Sequence, residues 1–249
     1  EKALESVEKS LTRNWHHHKA RQLKCSLLRK MKYNEKAVAF ADASLEIDSF
    51  NMGCRYERYL ASGENSDLEK LKELMRDWSH GYIEYALDFV AGGLYEEAAG
   101  LLGLYLQDVE KVYPIIYYLL GYICMKQSNP SLAQEYFVKA EKCDSAYCFP
   151  NRIEEVLILQ EAVRQNPSDA KSFYYLGNFW YASRRYENAV SCWEQSATID
   201  PEFPTVWRNL SLAYYNKCNN REKAVAALEK AFALDNTDAR ILMELDQLY

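Results

Sequence analysis

The chain has 249 residues, 30 Lys+Arg against 36 Asp+Glu for a formal net charge of −6, and 49% apolar residues, enough to bury a core without lipid or disulfides. Nine Gly and six Pro are too few turn residues for an all-β fold, and the longest near-apolar run, Ile115–Met125, is far short of the about 20 residues a membrane-spanning helix needs. Seven scattered cysteines without a Cys-x-x-Cys pair argue against a disulfide framework or a zinc site and fit reduced thiols, hence a cytoplasmic setting. Position 1 is Glu and no apolar leader follows, so targeting information would have to lie upstream.

From Arg13 to Lys32 there are seven Lys+Arg, no acid and the triplet His16-His17-His18. On a helix, Ala20, Leu23, Leu27 and Met31 share one face, whereas His18, Arg21, Arg29 and Lys32 lie opposite, which predicts solvent-facing basic groups. Adjacent histidines diverge on a helix, so the triplet is not a metal site. An RNA-binding patch here is the lesser of the functional alternatives. Residues 15–48 read as a helix pair with Ala37 in a small position, and Ser66-x-x-Glu69 as a capping box. Next comes a degenerate pair with Tyr82, Tyr85, Ala86 and Phe89, then Tyr95, Ala98 and Leu102, around a helix-breaking Gly92-Gly93 turn. His80 reads as a helix-boundary residue, and Glu96-Glu97 and Glu154-Glu155 as surface acids near helix N-termini, where the dipole favours them.

Downstream the pattern sharpens. Tyr117, Leu120, Gly121 and Cys124 are followed by Ala133, Phe137 and Ala140. Phe173, Leu176, Gly177 and Trp180 are followed by Ala189, Trp193 and Pro201, and Trp207, Leu210, Ser211 and Tyr214 by Ala224, Leu228 and Ala231. Gly177 and Ala189 leave room for the bulky Phe173, Trp180 and Trp193 where two helices approach, and Pro201 ends the unit. The last two copies are 34 residues apart and the first two 56. The surplus of 22 residues predicts one helix, Asn151–Gln165, after a Ser145–Phe149 stretch too brief for a partner. Leu242, Leu245 and Tyr249 open a further copy at which the sequence stops, either a capping helix or a cut array. The reading totals fifteen helices and no strands.

An aromatic, Leu-Gly, an aromatic, then Ala, an aromatic and Pro at a period of 34 is the tetratricopeptide pattern, and residues 170–203 resemble it almost completely. The stretch SFYYLGNFWYASRRYENAVSCWEQSATIDPEFPTVWRNLSLAYYNK also resembles the repeat region of large bacterial multidomain proteins that carry an uncharacterised mutarotase-like N-terminal domain. The resemblance implies an all-α tetratricopeptide-type helix-turn-helix solenoid, a right-handed superhelix of antiparallel helix pairs. A single such array is expected over 1–249, with degenerate repeats at about 1–110 and clearer ones at 114–147, 170–203 and 204–237. A shortened repeat is expected at about 145–169 and a final helix at 238–249.

The implied function is a non-catalytic scaffold that holds a peptide segment, or a neighbouring domain, in a concave groove lined by the first helix of each pair. The alternative is a region that braces a carbohydrate-active domain of a larger chain. Groove candidates are Lys171, Tyr174, Asn178, Tyr181, Arg208, Asn209, Tyr215 and Arg240, among which Tyr and Arg are types favoured at hot spots. Asn178 and Asn209 match the two Asn of a carboxylate-gripping version of such a groove, and Arg240 one of its basic positions. Tyr174 and Glu244 stand at the other two, and an acid there repels a carboxylate. No nucleophile, general base, metal set or cofactor motif is read from the sequence, so no catalytic residue and no cofactor is expected. It does not give an oligomeric state.

Overall fold

The computed structural model describes residues 1–249 and consists of fifteen α-helices with no strand. They group into two compact units, Glu1–Glu110 and Lys111–Tyr249. The first contains α1 (Lys2–Arg13), α2 (His18–Lys30), α3 (Asn34–Ile47), α4 (Met52–Ser62), α5 (Asn65–Met75), α6 (Ser79–Ala91) and α7 (Tyr95–Asp108). The second contains α8 (Pro114–Lys126), α9 (Pro130–Lys142), α10 (Ile153–Gln165), α11 (Ala170–Ala182), α12 (Tyr186–Ile199), α13 (Pro204–Asn216), α14 (Arg221–Leu234) and α15 (Ala239–Leu248). No helix is long and apolar enough to cross a membrane.

One turn recurs in both units. At the ends of α2, α6, α8 and α11, residues Lys32, Gly93, Ser128 and Arg184 have φ of 66°, 72°, 59° and 60°. The next N–H in each case reaches back five residues: Tyr33 to Leu28, Leu94 to Phe89, Asn129 to Cys124 and Arg185 to Trp180. This 6→1 bond, closed by a left-handed residue, satisfies the last carbonyls of the first helix and aims the chain into the second. Only Gly93 reaches that conformation without a Cβ penalty. Ser128→Gly should therefore raise stability by about 0.5–1 kcal/mol, the relieved strain exceeding the added chain entropy, and Gly93→Ala should lower it. Denaturant midpoints of the two variants check both signs.

In the first unit the solvent-facing expectation for α2 is corrected. Arg21 is buried, donates from Nε to Ser44 Oγ at 2.9 Å and from Nη1 to the Trp15 carbonyl at 2.8 Å, and lies 4.7 Å over the Phe40 ring. Arg29 donates from Nε to Glu57 Oε2 and from Nη2 to Glu97 Oε1, each at 2.7 Å. Ser26 Oγ adds a 2.7 Å bond to Glu57, whose side chain is 0% exposed. Thus α2 packs its polar face on α4 and α7, because the acids it needs are supplied there. Only Lys32 and His18 of that face stay exposed. Cys25 and Cys54 complete this core, fully buried and with sulfurs 4.0 Å apart.

Three local expectations also change. Helix α5 begins at Asn65, with Glu64 as N-cap and no side-chain cap bond; Ser62 accepts from Glu64 N and donates to Asp67 instead of a Ser66-Glu69 box forming. Glu97 and Glu155 are buried and not surface acids. Glu155 Oε2 accepts from the backbone N–H of Asn151 at 2.7 Å and Arg152 at 2.9 Å, capping α10 from inside.

In the second unit the small positions are where the spacing put them. A Cβ on Gly121 would overlap the Phe137 ring, and one on Gly177 the Trp193 indole, so each glycine admits an aromatic ring against the helix backbone. Between Cys143 and Asp169 there is one helix, α10, and it packs on α8 and α11. Asp169 caps α11 by accepting from Lys171 N and Ser172 N, and takes a 2.7 Å bond from the Tyr118 hydroxyl of α8. Burial pushes its carboxyl up, against these hydrogen bonds.

Candidate functional site: a cleft on helices α11 and α13

Asn178, Tyr181 and Ala182 follow one another on a face of α11, at i, i+3 and i+4; Asn209 and Leu212 do so on α13. Together with Trp193 and Phe149 they line a cleft of about 250 Å³. Trp193 is 3% exposed and forms its back. The indole Nε1 donates to the Tyr174 carbonyl and to Asn178 Oδ1, both at 3.2 Å. Asn209 Nδ2 donates to the same Asn178 oxygen at 3.2 Å, joining α11 to α13. Asn178 Oδ1 is thereby saturated, and its buried Nδ2 lies against the Tyr174 phenol. Tyr181 packs on Trp193 with ring centroids 5.3 Å apart, and Phe149, in the non-helical stretch before α10, also lines the cleft with 59% of its surface exposed.

The charged groups beside the cleft are matched internally. Arg208 pairs with Glu244 of α15 through both Nε, at 2.9 Å, and Nη2. Arg240 is held by Asp238 at the start of α15, with Nη2 to Oδ2 at 2.7 Å, and this pairing pulls the Asp238 carboxyl down to about 2.

Of the sequence candidates, then, Asn178, Tyr181 and Asn209 meet at one cleft, and Arg208 flanks it in an ion pair. Tyr174 is core: 4% exposed, its ring lies 4.9 Å from Phe203, and burial pushes its phenol up against the neighbouring Asn178 and Asn209 amides. It supports the amides from beneath. Lys171 turns away to the Cys143 carbonyl. Tyr215 is 47% exposed on the Arg208 face of α13 without lining the cleft, and Arg240 stays at the α15 terminus. Phe149, Ala182 and Leu212 were not among the candidates. Leu212, three residues after Asn209, could have been found from helical spacing; Phe149 carries no such signal.

No three His, Cys, Asp or Glu side chains converge in a group that could hold a metal ion. Burial pushes the thiols of Cys124, Cys143, Cys148 and Cys192 up, the last two to about 12 and about 11, which keeps them protonated and weakly nucleophilic at neutral pH.

A family model described as "Tetratricopeptide repeat" matches residues 115–147 and 205–238, the α8–α9 and α13–α14 hairpins. Those two stretches are similar to tetratricopeptide repeats. Tetratricopeptide repeat protein 37 of Xenopus laevis is 27% identical over 119 residues, 46% of this chain and 7% of that protein; the match thus spans a small part of the relative's length. Among solved structures, YrrB, described as a TPR protein with an unusual peptide-binding site, is similar with 21% identity and a TM-score of 0.35 over 98% of this chain and 99% of that one. A thermophilic TPR protein of Thermus thermophilus, TTC0263, has 13% identity and a TM-score of 0.37, covering 93% and 98%. Proteins built from tetratricopeptide repeats generally mediate protein–protein interaction.

Proposed function

We propose that this protein is a non-catalytic scaffold that binds a polypeptide segment, from another protein or from a further domain of a longer parent chain, in the α11–α13 cleft. The observation that carries the reading is the lining of one cleft by three aromatic rings, the exposed Phe149, the half-buried Tyr181 and the buried Trp193, beside the Asn178–Asn209 amide pair. Rigid Tyr, Phe and Trp rings give contact area at small cost in side-chain entropy. The RNA alternative loses its support, because half of the basic face it needed is engaged internally: Arg21 is buried in hydrogen bonds, and Arg29, half-buried, is held by Glu57 and Glu97.

Selection of a displayed random peptide library on the purified chain tests the reading. Peptides so obtained should lose at least tenfold in affinity, about 1.4 kcal/mol, when Tyr181→Ala and Leu212→Ala are combined. Helical circular dichroism and Tm should change little. Unchanged affinity in that double variant, with loss in Arg13→Ala/Lys32→Gly and a steep fall with added salt, would move binding to the first unit and to an acidic partner.

A further inference from the structure

The geometry points to a second site, at the turns that end α11 and α13: a recess that takes a phosphorylated side chain of a partner polypeptide. Its volume is about 490 Å³, and its lining includes Arg184, Arg185 and Lys217 of the turns with Tyr186 and Glu187 of α12. It shares no lining residue with the α11–α13 cleft and stands whether or not that cleft binds a segment.

The cations here are free. Arg208 and Arg240 of the same unit are each held by an acid, whereas Arg184, Arg185 and Lys217 are exposed and no acid pairs with them, not even Glu187 in the same recess. They are also drawn together across two turns. The Lys217 ammonium lies 4.5 Å over the ring of Tyr186, which follows Arg185 in the chain, and the Arg185 guanidinium lies 5.9 Å over the Trp180 ring. A ring that already holds a charged head reduces the side-chain freedom lost on binding. The charge is local as well: three cations against the one acid leave a formal +2 in the recess, on a chain of net −6.

Charge and donor geometry select the ligand. A phosphorylated Ser, Thr or Tyr carries about −1.5 to −2 at neutral pH and three acceptor oxygens, which matches the +2 and the forked donors of two guanidinium groups beside an ammonium. A single Asp or Glu side chain brings half that charge. A nucleic acid is bound along a longer basic track, with about 6–10 phosphates contacted in a strongly salt-dependent complex. Large exposed apolar side chains, which would enter a bilayer interface, do not line the recess.

Random peptides arrayed in three forms, with phosphothreonine, threonine or glutamate at a fixed central position, test the site when probed with the full chain. The expected result is retention on phosphothreonine peptides alone. The best of these, made synthetically, should bind at least tenfold more weakly to Arg185→Ala/Lys217→Ala and to Arg184→Gly. The second variant removes a cation and relieves the left-handed backbone at φ 60°, so its Tm should not fall and lost binding is not lost folding. Leu212→Ala, in the cleft, should leave the affinity unchanged. Equal retention of glutamate and phosphothreonine peptides, tighter binding of an oligouridylate or of phosphoinositide vesicles, phosphopeptide binding indifferent to both recess variants, or no retention at all would each overturn the phosphoryl site.

Discussion

Glu57→Ala should destabilise the chain by about 3–5 kcal/mol, the cost of removing one partner from a buried ion pair. The carboxylate is wholly buried and accepts from Ser26 Oγ, Arg29 Nε and Arg29 Nη2 at 2.7, 2.7 and 3.2 Å. Without it, Arg29 retains only Glu97, and the Ser26 hydroxyl keeps only the longer bond to the Gln22 carbonyl, at 3.2 Å. Replacing Arg29, Glu57 and Glu97 together by apolar residues of similar volume should restore most of the loss, because no charge is then left buried. Denaturant midpoints of the single and triple variants measure the difference. The network also predicts the direction of acid sensitivity. Burial pushes the Glu97 carboxyl up, but hydrogen bonds from Arg29 and Lys30 outweigh it and hold the group below its ordinary range. The unfolded chain therefore takes up that proton first. The stability Glu97 contributes is fully present above the ordinary carboxylate value and declines as pH falls through the folded one.

Gly177→Leu should cost about 3 kcal/mol or more, against less than about 1 kcal/mol for Ser211→Ala at the equivalent place in the next copy. A Cβ at 177 overlaps Cδ1 and Nε1 of Trp193. The indole cannot retreat without breaking its bonds to the Tyr174 carbonyl and Asn178, so lost hydrogen bonds add to the overpacking. Peptide binding should fall with stability in this variant, since Trp193 is both the knob of the hairpin and the back of the cleft. Equal unfolding midpoints for Gly177→Leu and Ser211→Ala would remove Gly177 from the helix crossing.

What the sequence made legible is what is encoded within one repeat. Gly177, Ala189 and Trp193 meet inside a single hairpin, so their spacing sufficed; the 22-residue surplus likewise marked the lack of a regular partner for α10. What stayed hidden depends on segments far apart in the chain. Arg29 turns inward because Glu57 and Glu97 stand 28 and 68 residues away, and no helical period on α2 reports that. Tyr174 shares a face with Asn178, one turn on, yet is covered by Phe203 from the turn preceding α13. Phe149 reaches the cleft from a stretch with no period at all, just after the Ala146-Tyr147 turn.

The most direct measurement is the indole N–H spectrum of the ¹⁵N-labelled protein during titration with a selected, end-blocked peptide. The chain has five Trp, and only Trp193 donates its N–H to the Asn178 amide at the back of the cleft. The Trp193 resonance should shift and saturate with the binding isotherm, while those of Trp15 and Trp78 in the first unit stay in place. A saturating shift of Trp15 or Trp78 with Trp193 unmoved would contradict it and locate the bound segment on residues 1–110.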